Sequence, residues 1–147
     1  MKVSEGKIGR IFVIRLEDKD KMPDAIEKFA FENDVPRGLC ILVGGIKDGG
    51  KIVVGPKKDD DSPVDPILYS LTGTHEVAGV GTLFPNKDGK PVLHMHAALG
   101  RDGKTRTGCI RPGIEVWKLG EVILLEIIDN TACRELDVSA GFNVLEP

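Results

Sequence analysis

Apolar and polar residues alternate along much of this chain, and changes in the period of that alternation mark its elements. Arg10-Ile11-Phe12-Val13-Ile14-Arg15-Leu16 is rich in β-branched residues and flanked by charges, so it reads as a first strand. The period then lengthens. Met22, Ile26, Phe29, Ala30 and Asn33 share a face at helical spacing, Pro23 falls in a first turn where its missing N–H costs little, and Asp18, Asp20 and Asp24 lie near the positive end. This is the pattern of a helix packed on a sheet. Phe31 falls off the stripe and is expected to meet a neighbouring element or subunit. Asp34-Val35-Pro36-Arg37-Gly38 ends the helix.

Leu39 to Ile46 is an almost unbroken apolar run, as expected of a strand covered on both faces, with Gly44-Gly45 marking a bulge or a close backbone approach. Asp48-Gly49-Gly50 turns the chain into Lys51-Ile52-Val53-Val54, a short strand and plausible hairpin partner for that run. The following KKDDDSPVDP is most simply a solvated loop; without a turn glycine and a downstream Glu it does not match a calcium-binding loop. From Ile67 to Phe84 the text is strand-like, punctuated by Gly73, Gly79 and Gly81. Gly79-Val80-Gly81 lacks the spacing and the following helix of a phosphate loop. Asn86 to Gly89 turns into a hairpin that Arg111-Pro112-Gly113 ends. Ile114 to Trp117 and Glu121 to Ile128 give two further strands, and Glu135 to Leu145 has room for one more. One helix and about eight strands joined by short turns predict an α+β fold, with an antiparallel or mixed β-sheet flanked by one main helix. No internal repeat and no long linker divides the chain, so residues 1–147 read as a single domain.

Composition narrows the function classes. Hydrophobic residues make up 41% of the 147 residues, enough for a real core. A net charge of −3 argues against a protein whose whole surface attracts a phosphate backbone. Three cysteines, Cys40, Cys109 and Cys133, with no secretory signal, point to a reducing cytoplasm rather than a disulfide framework. No apolar run approaches the roughly 20 residues that cross a bilayer.

The chemistry gathers in Pro91 to Arg111, PVLHMHAALGRDGKTRTGCIR. Asp102-Gly103 is a strong two-residue turn, because a type I′ hairpin needs positive φ at both central positions. That turn pairs Arg101 with Lys104, Gly100 with Thr105, Ala98 with Thr107 and His96 with Cys109, and it sets His94 opposite Arg111. Side chains alternate along strands, so His94, His96 and Cys109 fall on one face at metal-ligand spacing. Two imidazoles and a thiolate suit Zn²⁺ or another borderline transition metal, and leave a fourth position open. The alternative is two solvated histidines beside a small packing cysteine, and a one-residue slip would turn Cys109 away. His75, on a separate strand, completes the site or caps a turn.

These residues also carry a family resemblance. GRIFVIRLEDKDKMPDAIEKFAFENDV, LTGTHEVAGVGTLFPNKDGKPVLHMHAALGRDGKTRTGCI and GEVILLEI resemble the plant-and-prokaryote-conserved (PPC) domain in its stand-alone prokaryotic form, over roughly Lys7 to Leu145. The resemblance implies a sheet flanked by a helix, assembled as a homotrimer, and a metal-associated His-x-His pair carried here by His94 and His96. Many members have a further His after a Gly-Gly pair in the next strand. Thr107-Gly108-Cys109 stands in its place, which would make the third ligand a thiolate.

Three function classes follow. The family association with AT-hook proteins suggests a binding module that contacts DNA or another protein. This chain lacks the Arg-Gly-Arg-Pro segment, and its only local basic cluster is Arg101, Lys104, Arg106 and Arg111, so DNA binding is expected to be weak. A second class is an enzyme whose metal polarises water, with Glu76 or Glu121 as base and Arg111 holding a small anionic substrate. The third is a metal-sensing or sequestering protein.

Overall fold

The computed structural model describes residues 1–60 and 62–147. Asp61, in the aspartate run, lies outside the described residues. Most of the chain forms one antiparallel sheet in the order β1-β9-β3-β6-β7-β8-β4-β5, joined at one side by the two-residue β2. Its strands are β1 (Lys7–Glu17), β2 (Lys21–Met22), β3 (Gly38–Ile46), β4 (Lys51–Pro56), β5 (Pro66–Ser70), β6 (His75–Pro85), β7 (Pro91–Arg101), β8 (Lys104–Cys109) and β9 (Ile114–Ile128). A separate hairpin joins β10 (Cys133–Asp137) and β11 (Phe142–Glu146). The one helix among the described residues, α1, spans Asp24–Glu32. The expected fold class, an antiparallel sheet with one helix, is therefore observed.

α1 begins after Pro23 and carries Asp24 and Glu27 in its first turn, where carboxylates oppose the positive helix end. Ile26 and Ala30 are buried, and Phe29 meets Phe12 edge to face at 5.2 Å between ring centres. Met22, grouped with the helix by spacing, sits in β2, completely buried beside β9. The Asn33 amide donates back to the Phe29 carbonyl at 2.9 Å and closes the last turn.

Sheet register separates two faces. Phe12, Leu124, Cys40, Gly81 and Met95 form a row across β1, β9, β3, β6 and β7, pointing inward. Cys40, Leu124 and Met95 are buried there among Leu42, Val122, Leu93 and Ile26. Gly81 is needed in this row because a Cβ would stand 2.6 Å from the Met95 Cβ. The neighbouring row, Val13, Ile123, Ile41, Val80 and His96, points the other way. Val13 is 83% exposed and Val80 57%. Continuous apolar sequence in β3 is thus not explained by two covered faces within the chain: Cys40 and Leu42 are buried, whereas Ile41 and Val43 are exposed.

Three other expectations change. β3 is flanked by β6 and β9 and has no free edge, so β4 pairs instead with β5 and, through Val53↔Cys109, with β8. The two strands read from Ile114 to Ile128 are one strand with a bulge, where Gly44 pairs Gly120 and Gly45 pairs Trp117. The tail forms a hairpin of two strands, its turn held by Asp137, whose carboxylate accepts from Ser139 and Ala140.

Candidate metal centre

The β7–β8 hairpin takes the register that its turn dictates. Asp102 and Gly103 have φ of 50° and 73°, and Arg101↔Lys104, Gly100↔Thr105, Ala98↔Thr107 and His96↔Cys109 are all paired. The ladder stops at Cys109. Arg111 enters a turn rather than facing His94, whose partner on the other side is Thr82.

β4 crosses β8 closely at this end. A side chain at Gly108 would run into the Val53 carbonyl, so glycine is what lets β4 lie against Cys109. This contact buries the thiol to 7% exposure while His96 stays exposed and His94 half-buried. One donor atom from each of His94, His96 and Cys109 lies within 4.8 Å of the others. The two Nε2 atoms are 3.2 Å apart with the rings at 79°. Nitrogens bound at about 2.0–2.1 Å to one tetrahedral metal would be separated by roughly 3.3 Å, so the pair fits a shared ion. Burial lowers the His94 pKa, with Arg134, His96 and Arg111 adding to the shift. Each effect favours the neutral imidazole that ligates metal.

His75 is not part of this group. It stands on the opposite face of β6 from Val80, the residue that pairs with His96, and its Nδ1 meets the Gly73 carbonyl at 2.9 Å. Its strand position is five residues and one face away, so it serves the turn instead. Cys40 lies in the inner row, where burial pushes its thiol up to about 12. Cys133 is on the separate hairpin.

Neither glutamate named as a base reaches the centre. Glu121 is three strands from His96, about 14 Å at ordinary strand spacing, and Glu76 is level with Gly100, about 13 Å along the strand. The nearby carboxylate is Glu27. It is half-buried on α1, accepts the Leu93 N–H at 2.9 Å, and shares a cleft with His94, Arg111 and Arg134. Burial raises its pKa, the Leu93 bond opposing. Arg134 was not singled out at all. It is 5% exposed, and its guanidinium donates to the Val92 and Thr82 carbonyls and to the Thr82 hydroxyl. Only the two-stranded tail could have suggested it, since Arg134 bridges that tail to β6 and β7.

The centre opens into a cavity of about 590 Å³. His94, His96, Cys109 and Arg111 lie at one part of its wall; Val53, Val64, Leu68 and Phe142 supply apolar surface. The basic tip of the same hairpin lies elsewhere: Arg106 stacks over Tyr69 at 5.4 Å and Arg101 donates to the Thr74 carbonyl.

Solved structures share this architecture over almost the whole chain. The metal-containing protein from Archaeoglobus fulgidus superposes with a TM-score of 0.85 over 100% of both chains at 23% identity. A PPC protein from Pyrococcus horikoshii gives 0.85 over 100% of this chain and 98% of its own, at 19% identity. A candidate DNA-binding protein from Ralstonia eutropha JMP134 gives 0.70 over 92% and 90%, also at 19%. In sequence, 135 residues are 23% identical to part of the bifunctional protein GlmU of Synechococcus sp. (strain JA-3-3Ab); the match takes in 90% of this chain and 20% of that relative's length. No helix among the described residues is long and apolar enough to cross a membrane. Residues 3–128, which hold the main sheet, α1 and the His-x-His hairpin, match the Plants and Prokaryotes Conserved (PCC) domain, and the chain belongs to that family.

Proposed function

We propose that this chain is a metal-binding homotrimer serving as a binding module, with one zinc ion per chain held by His94, His96 and Cys109. The convergence of three donors on one strand face carries the reading. Two nitrogens and a thiolate favour zinc over magnesium or calcium, and three protein ligands leave one position for water or a ligand. The trimer rests on the family resemblance, supported by the uncovered apolar row of Val13, Ile41 and Val80. One core cluster from Leu16 to Leu124, with Arg134 tying the tail hairpin to β6 and β7, supports treating residues 1–147 as a single domain, and three free thiols suit the cytoplasm.

Duplex DNA binds weakly and without sequence preference in this reading. The −3 of each chain becomes −9 in a trimer, and α1 presents Asp24 and Glu32 outward. Relatives described as DNA-binding candidates are the only support for more. Elemental analysis of protein purified without chelator is expected to give one zinc per chain, and light scattering at micromolar concentration a trimeric mass. Absence of stoichiometric metal after zinc addition would defeat the metal reading. A monomer would defeat the trimer. Sub-micromolar, sequence-selective binding in anisotropy titrations near physiological salt would restore a DNA-binding role.

A second reading, a metal-dependent enzyme for a small anionic substrate, is favoured by one observation: the three donors face a cavity rather than a closed shell. There the metal would polarise a bound water, Arg111 would orient the anion, and Glu27, held by Leu93, is the carboxylate placed to accept a proton. A sensing or sequestering role would need no such cavity.

A further inference from the structure

We propose that the metal cavity binds a small organic monocarboxylate, its acid group shared between the metal's open position and Arg111 and its apolar body laid against Val53, Val64, Leu68 and Phe142. The inference rests on the metal reading above and names the ligand class of that site.

Charge selects an anion. A divalent ion with one thiolate carries a net positive charge, and two guanidiniums stand beside it, Arg111 and Arg134. Arg134 is committed to the Val92 and Thr82 oxygens and acts as a fixed background charge. Arg111 is exposed, and no ion pair among the described residues engages it. Its planar fork matches a carboxylate. Glu27 offsets one positive charge, which leaves the cleft cationic with metal bound.

Shape selects a monocarboxylate with a body over a bare inorganic anion. At about 590 Å³ the cavity is in the range that holds organic ligands, and far larger than one phosphate. Leu68 is 56% exposed and Phe142 41%, so a hydrocarbon chain has apolar surface to cover. A phosphate dianion would face the same surface with its oxygens unsatisfied. Each buried methylene should strengthen binding roughly fourfold, until the cavity is full.

The test uses the full chain loaded with Co²⁺, whose thiolate charge-transfer band reports the centre directly. Acetate, butyrate, hexanoate and inorganic phosphate are titrated in turn while the band and the heat of binding are followed. The expected result is a changed band with each acid, affinity rising from acetate to hexanoate, and little response to phosphate. Arg111→Gln should weaken every acid on the order of ten- to a hundredfold, with cobalt uptake unchanged. Leu68→Ser should weaken hexanoate and leave acetate alone. Both side chains are exposed, and cobalt uptake verifies that each variant is folded. Failure to develop any charge-transfer band defeats the metal reading and this inference with it. A normal band with affinity flat along the acid series, or with phosphate binding as well as hexanoate, or with Arg111→Gln binding like the parent, overturns the carboxylate proposal alone. A flat series is also what a second copy of the chain filling the cavity would give.

Discussion

The two faces of the large sheet are built from the same strands, residue by residue, yet they meet different surroundings. On the inner face Leu124, Cys40 and Met95 are closed off by α1, β2 and the connecting loops, and no outside partner is needed. The outer face begins with apolar Val13, Ile123, Ile41 and Val80 and ends, along the same row, in His96 and Cys109. Val13, Ile41 and Val80 in its apolar part stay uncovered by any of the described residues. One helix of nine residues is enough for one side of a sheet this wide, and not for both. Stability is thus concentrated on the inner face, while the outer one holds the uncovered apolar row and the three candidate donors on which the proposed association and metal binding rest.

That division can be broken in order of effect. Leu124→Ala on the inner face should cost about 2–5 kcal/mol, the range for truncating a fully buried leucine, with denaturant unfolding as the measure. Loss under 1 kcal/mol would mean that the core lies elsewhere. Cys109→Ser should lower zinc affinity by at least ten- to a hundredfold, whereas Cys40→Ser leaves metal content intact; competition with a chromophoric chelator compares the two. Equal effects would erase the distinction between the faces. Ile41→Asp, one residue from Cys40, should leave the subunit fold within about 0.5 kcal/mol of the parent yet shift the light-scattering mass from trimer toward monomer. The smallest effect concerns acid. Arg10 holds the Glu126 carboxylate below the usual range through bonds at 2.7 Å, with burial opposing. A depressed folded-state pKa stabilises above the ordinary carboxylate pKa and is lost as pH falls through the depressed value. Glu126→Gln should therefore flatten the acid limb of the stability profile, and an unchanged limb would remove the pair from the account.

Much of this was legible because turns are local. Asp102-Gly103 specified the His96–Cys109 pairing from two residues, and structure reproduces each predicted pair up to Cys109. Strand existence was likewise readable from periodicity. Partner choice was not, because it depends on which edges are already occupied: β4 could not join β3 once β6 and β9 flanked it. His75 illustrates the same limit, since residue type suggested a ligand while strand parity, set by long-range pairing, put it on the other face. Glu27 and Arg134 were missed because each is brought to the centre by packing of an element distant in sequence.

The Gly108 crossing has a further consequence, for motion. β4 and β5 form a two-stranded ribbon that shares one ladder pair with β8, Val53↔Cys109, and is held beside it by the fully buried Ile52 and by the Lys51 N–H donating to the Gly113 carbonyl. The rung is thus the ribbon's one ladder pairing with the sheet among the described residues, and its Cys109 is one of the three candidate metal donors. Fixing Cys109 to a metal would steady that rung, so the amide protons of Val53 and Val54 would exchange with solvent more slowly in the metal-loaded protein than in the metal-free one. Loading of the centre would then be felt in the ribbon, through the Cys109 rung.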